Sequence, residues 1–146
     1  MADQATETMT VQASPERCFA VVTDFDSYPR WAADIKEVVV LDRDEEGRGS
    51  RVQYRAAAFG RSTTYTLVYD YTDAPKILSW RLEKGDLERV LDGSYTFVGE
   101  GDDTDVTYHL EAELILPVPG FVKRRAEGRI VHTALKELKA KAEQAS

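Results

Sequence analysis

Between residues 36 and 116, apolar and polar side chains alternate with a period of two, in runs of seven to thirteen residues. Val, Thr, Tyr and Leu dominate these runs. Each run ends at a cluster that favours chain reversal: Glu46-Gly47-Arg48-Gly49, Phe59-Gly60-Arg61, Asp73-Ala74-Pro75, Lys84-Gly85-Asp86 and Gly99-Glu100-Gly101-Asp102. Alternation broken by short Gly, Pro and Asp turns predicts consecutive antiparallel hairpins. The predicted strands cover residues 36–44, 50–58, 62–72, 77–83, 87–98 and 104–116, and a short strand at 7–12 precedes them. Two short helices separate the first strand from the second. Ser14-Pro15-Glu16 opens one, with Ser14 as N-cap, Pro15 preorganised for the first helical position and Glu16 suited to the positive helix end. The other covers 28–33, around Pro29 and Trp31. Pro117 and Pro119 set the start of a final helix of about 25 residues.

Strand alternation assigns faces. Val52, Tyr54, Ala56 and Ala58 point one way in their strand; Tyr65, Leu67, Tyr69 and Tyr71 do so in the next. Leu78, Trp80 and Leu82 follow, then Leu91, Gly93, Tyr95 and Phe97, then Val106, Tyr108, Leu110, Ala112 and Leu114. This face gathers six of the seven tyrosines. A buried tyrosine needs a partner for its hydroxyl, so a core built for stability alone favours Leu, Ile and Phe. Small residues interspersed among large ones either let a helix approach closely or leave a void, and the pattern alone leaves both open. At helical spacing Arg124, Gly128, Val131, Leu135 and Leu138 share a stripe, bordered by Phe121 and Glu127. A glycine within a helix costs about 1 kcal/mol relative to alanine, so Gly128 requires a reason, such as room for a ligand or contact with a tyrosine.

Composition narrows the classes. The 146 residues are one domain's worth of chain. We expect a single domain over 1–146, with an ordered core at about 6–142. The polar start lacks an apolar signal segment, and no run is long enough to span a membrane. With a single cysteine, Cys18, no intramolecular disulfide forms, and a cytoplasmic location is expected. The net charge of −7 argues against nucleic acid as the main partner. Residues 120–146 hold seven Lys/Arg against three Asp/Glu, a net of +4, so the remainder carries −11. That basic helix is compatible with a solvated face or with transient contact with a membrane surface.

Three segments resemble the START-like SRPBCC superfamily, in its polyketide cyclase/dehydrase and lipid-transport branch, which borders the coenzyme-Q-binding family. They are SPERCFAVVTDFDSYPRW (14–31), LSWRLEKGDLERVLDGSYTF (78–97) and DTDVTYHLEAELILPVPGFVKRRAEGRIVHTALKELK (103–139). The resemblance implies an α+β helix-grip fold: a seven-stranded curved antiparallel sheet wrapped around a long C-terminal helix, with a deep cavity between them. It also implies a hydrophobic ligand such as a lipid, quinone or polyketide. No catalytic set transfers, because that branch has no universal motif to match.

The chain lacks the elements of several chemistries. His109 and His132, with one cysteine, make no Cys/His zinc site. No Gly-rich phosphate loop follows a strand, and no Ser-His-Asp group assembles from inward positions. No metal or cofactor is expected. The leading expectation is a monomeric or homodimeric protein that binds a small hydrophobic or aromatic ligand. Its cavity would be lined by Tyr54, Tyr65, Leu67, Tyr69, Trp80, Gly93, Tyr95, Tyr108, Leu110, Phe121, Arg124, Gly128 and Val131. The alternatives are a polyketide aromatase/cyclase or dehydratase using cavity Tyr and Arg groups, and an interaction module using the basic helix. The enzyme reading lacks a base, since Glu127 is the one carboxylate near the inward stripe and an unperturbed tyrosine titrates near 10.

Overall fold

The computed structural model describes residues 3–58 and 60–144, and only the backbone of Ala58. Phe59 and the side chain of Ala58, both placed by the reading above, lie outside the described residues.

The chain runs β1 (Asp3–Val11), α1 (Pro15–Thr23), a 3-10 turn (Phe25–Ser27), α2 (Tyr28–Trp31), β2 (Ile35–Arg43), β3 (Gly49–Ala58), β4 (Arg61–Asp70), β5 (Ile77–Gly85), β6 (Glu88–Glu100), β7 (Asp103–Leu114) and α3 (Gly120–Ala142). Local chemistry accounts for the boundaries. The Ser14 side chain accepts from the Arg17 N–H and Pro15 fills the first turn of α1. Gly60 and Gly101 turn their hairpins at φ of +73° and +63°, where a side chain would be strained.

The strands form one seven-stranded antiparallel sheet in the order β1-β7-β6-β5-β4-β3-β2. Six strands follow chain order as a meander. β1 closes it by pairing along its whole length with β7, from Asp3 opposite Ala112 to Val11 opposite Thr104. The sheet and α3 form the expected helix-grip arrangement. α3 lies against β1 and β7, and α1 packs beside it over the ends of β6 and β7. There the molecule is solid: Val11, Cys18, Val22, Val106, Leu135 and Leu138 are fully buried. Arg17 ties the two helices together by donating to the Ala142 and Lys141 carbonyls.

Candidate functional site: a cavity between the sheet and the last helix

Two flanks of α3 have different surroundings. Glu127, Val131, Leu135, Leu138 and Ala142 recur every three or four positions and are buried. The adjoining flank carries the short side chains of Ala126, Thr133 and Ala134 together with Ile130. These are too short to reach β3–β6 across the concave sheet, and a cavity of about 590 Å³ remains. That lies within the usual range of about 300–1,000 Å³ for small-molecule sites. Tyr28, Trp31 and Ile35, from α2 and the start of β2, close one side. The exposed rim consists of Asp34, Arg129 and the β3–β4 hairpin residues Ala57, Gly60, Arg61 and Ser62.

The sheet wall is a continuous aromatic surface. Tyr54 stacks on Tyr65 with ring centroids 5.3 Å apart, and Trp80 packs against Tyr69, Tyr95 and Tyr108 at 5.4–5.9 Å. The hydroxyls fall into two groups. Tyr54 and Tyr69 bond each other at 2.5 Å, and Tyr28 donates to the Val22 carbonyl. Tyr65, Tyr95 and Tyr108, and the Trp80 indole N–H, have no hydrogen bond among the described residues. Burial raises all six cavity tyrosines (Tyr28, Tyr54, Tyr65, Tyr69, Tyr95 and Tyr108) further above their ordinary value of 10. They are therefore neutral donors and acceptors, not bases.

One carboxyl group joins this wall. Glu88 is 8% exposed and borders the cavity. Thr63 Oγ1 lies 3.0 and 3.1 Å from its two oxygens, and the Leu87 N–H reaches Oε1 at 3.2 Å. Burial raises its pKa, opposed by the Thr63 and Leu87 bonds and reinforced by nearby Asp86. Strict alternation from Leu91, Gly93 and Tyr95 points Glu88 outward. A register shift between Glu88 and Val90 in the β6–β7 pairing turns it inward. The adjacent apolar pair Val90-Leu91 is the sequence sign of that break. The expectation that Glu127 is the one carboxylate available inside is thus corrected.

Of the thirteen expected lining residues, the structure brings seven to the cavity: Tyr54, Tyr65, Leu67, Tyr69, Trp80, Tyr95 and Tyr108. The other six lie elsewhere. Leu110 and Val131 are buried in the core at 1% exposure. Gly93 is packed under the Trp80 ring and the His109 carbonyl. Phe121 is 58% exposed and Arg124 is also at the surface. Gly128 is not part of the cavity lining, and a side chain there would meet nothing within 4 Å, so it does not permit close packing either. In the N-terminal half of α3 the buried line runs through Glu127, which the spacing places at the border of the stripe, and not through Arg124 and Gly128. Glu127 is 2% exposed, and its carboxyl is raised to about 7, by burial first and then by the Asp3 carboxyl. Sequence reading also missed Ala126, Ile130 and Ala134, although their i, i+4, i+8 spacing is itself an apolar stripe. Among the described residues no three His, Cys, Asp or Glu side chains gather as a metal site, and no helix is long and apolar enough to cross a membrane.

A family model described as polyketide cyclase / dehydrase and lipid transport matches residues 2–143. No curated protein matches the chain. A START superfamily protein from Mycobacterium smegmatis superposes with a TM-score of 0.91 at 28% identity, covering 98% of this chain and 99% of its own. A protein from Thermus thermophilus follows at 0.82 and 21%, with coverage of 96% and 97%. The Zhui aromatase/cyclase from Streptomyces sp. R1128 superposes at 0.83 and 15%, with coverage of 98% and 94%, a likeness of fold alone.

Proposed function

The chain belongs to the polyketide cyclase / dehydrase and lipid transport family, and from that premise we propose that it binds a small hydrophobic or aromatic molecule, of lipid, quinone or polyketide type, between the sheet and α3. The observation that carries this is the cavity of about 590 Å³ lined by Tyr65, Tyr95, Tyr108 and Trp80, whose polar atoms have no hydrogen-bond partner among the described residues. A core selected for stability fills such space and pairs such groups. In this reading the aromatic wall contacts the ligand's apolar body and the free hydroxyls orient its polar substituents. Native mass spectrometry of the purified protein tests it. The expected spectrum carries an adduct of a few hundred daltons that organic extraction removes. A bare mass, together with no binding of quinones or hydrophobic dyes, rejects the reading.

Glu88 supports a second reading, a cyclase or dehydratase acting on a poly-β-ketone. A buried carboxylate whose pKa is raised by burial is a stronger base than one in water and suits abstraction of an acidic proton between two carbonyls. The neutral tyrosines would then stabilise the enolate oxygen. Incubation with a linear poly-β-ketone thioester separates the two: dehydrated aromatic product lost in Glu88→Gln favours catalysis, and unchanged thioester favours binding alone.

A further inference from the structure

We propose that Glu88 and Tyr65 form a polar subsite that selects neutral ligands carrying a hydroxyl or phenol group and rejects carboxylates. This rests on the ligand-binding reading above and adds the chemical class. Glu88 is nine-tenths buried, and the protein leaves it incompletely satisfied. A carboxylate has room for about four hydrogen bonds. Here a single Thr63 proton is shared between both oxygens, and the Leu87 N–H and the residue's own N–H add two more bonds, which leaves room for about one further donor. No cation pairs with Glu88 among the described residues, although Arg61 stands at the same rim. Burying a carboxylate beside neutral donors alone is costly, and leucine or glutamine would fill the position more cheaply if the occupant were purely apolar.

The surroundings are shaped around this side chain. The Gly85 backbone lies directly against this group: a Cβ there would lie 2.5 Å from Glu88 Oε1 and 3.2 Å from Tyr65 Cβ, so Glu88 would have to shift. The turn thus places the Glu88 carboxyl near the base of the Tyr65 side chain, both residues line the same cavity, and the charge of Glu88 acts on the Tyr65 hydroxyl. Tyr65 has a neutral hydroxyl with no hydrogen-bond partner among the described residues. Together they offer one strong acceptor and one donor, the complement of an O–H group, which donates to the carboxylate and accepts from the phenol. A ligand carboxylate at this point has no proton to donate and meets a like charge. The rim does not reverse the preference, since its Arg61 and Arg129 are exposed and accompanied by Asp34 and Glu137.

The test uses three probes with one ring system: pyrene, 1-hydroxypyrene and pyrene-1-carboxylate, titrated by fluorescence at pH 7 into the full chain and into Glu88→Gln. The expected wild-type order is hydroxypyrene about tenfold or more tighter than pyrene, with the carboxylate weakest. Glu88→Gln is expected to lose most of the hydroxyl preference and to bind the carboxylate better than wild type does. Equal wild-type affinity for pyrene and hydroxypyrene overturns the subsite while leaving hydrophobic binding intact. A hydroxyl preference unchanged in Glu88→Gln also overturns it. Failure of all three probes to bind overturns the ligand-binding reading and the subsite with it. Should the variant not fold, as judged by its near-ultraviolet circular dichroism, the wild-type order alone decides.

Discussion

A methyl group added at Gly93 would come within 2.6 Å of the His109 carbonyl oxygen and 2.7 Å of the Trp80 ring. The first of these is backbone in the middle of a sheet and has nowhere to go. Gly93→Ala is therefore expected to destabilise by about 1–3 kcal/mol. The same methyl at Gly128 meets nothing within 4 Å. Gly128→Ala is expected to stabilise by up to about 1 kcal/mol, through helix propensity alone. Urea unfolding of both variants measures the two signs, and two shifts of the same sign refute the assignment. In the sequence these glycines carry the same message, a missing side chain on an inward face. What separates them is the atom opposite, which no local pattern encodes. The five cavity tyrosines of the strands were legible for the opposite reason. Their direction follows from strand period, a rule that Glu88, displaced by a bulge, escaped and that says nothing of Tyr28 on α2.

At the scale of one element, α3 shows where apolar spacing stops being a guide. Its C-terminal half buries Val131, Leu135 and Leu138 as the apolar spacing requires. Its N-terminal half buries Glu127, whose Oε2 has no hydrogen-bond partner among the described residues and whose carboxyl sits beside Asp3 of β1, opposed by Arg124 and Lys123 on its own helix. A charged residue takes an inward position when it can hold a proton, and proximity of Asp3 comes from the β1–β7 pairing, which hydrophobic periodicity does not reveal. The consequence is a pH dependence of definite sign. The Glu127 pKa is raised from 4.5 to about 7 in the fold, so its stabilisation is complete below about pH 4.5 and is lost as the pH rises through about 7. The unfolding free energy is expected to fall by about 1–3 kcal/mol between pH 5 and pH 8 on this account. Carboxyls with lowered values, such as Glu83 and Glu143, act only at more acid pH. Glu127→Gln is expected to flatten the slope in that window and to exceed the wild type in stability at pH 8. Parallel slopes for the two proteins refute the buried-carboxyl account.

Over the whole molecule, the fold separates a packed half from an open one along a single helix. Period-two patterning predicted the meander, and the prolines at 117 and 119 the long helix, to within a few residues at most ends. The curvature of the sheet came only from the resemblance, and the pairing of β1 with β7 went unread, because it joins residues about a hundred positions apart, as between Thr6 and His109. The division places adjacent residues of α3 in opposite roles. Leu135 is fully buried in the packed half, whereas the short side chain of Ala134 borders the cavity. Leu135→Ala removes contacts that nothing replaces and is expected to cost about 2–5 kcal/mol, with affinity for a cavity probe nearly unchanged. Ala134→Leu extends into empty space, so overpacking does not arise and added apolar burial leaves stability equal or higher. The same extension occupies volume that a ligand needs, and probe affinity is expected to fall at least about tenfold. Melting temperature and 1-hydroxypyrene titration, measured on both variants, thus move independently: stability drops in one and binding in the other. If Ala134→Leu lowers stability as Leu135→Ala does, the space beside α3 is not open in solution. If it leaves hydroxypyrene affinity intact, the ligand occupies a different part of the fold.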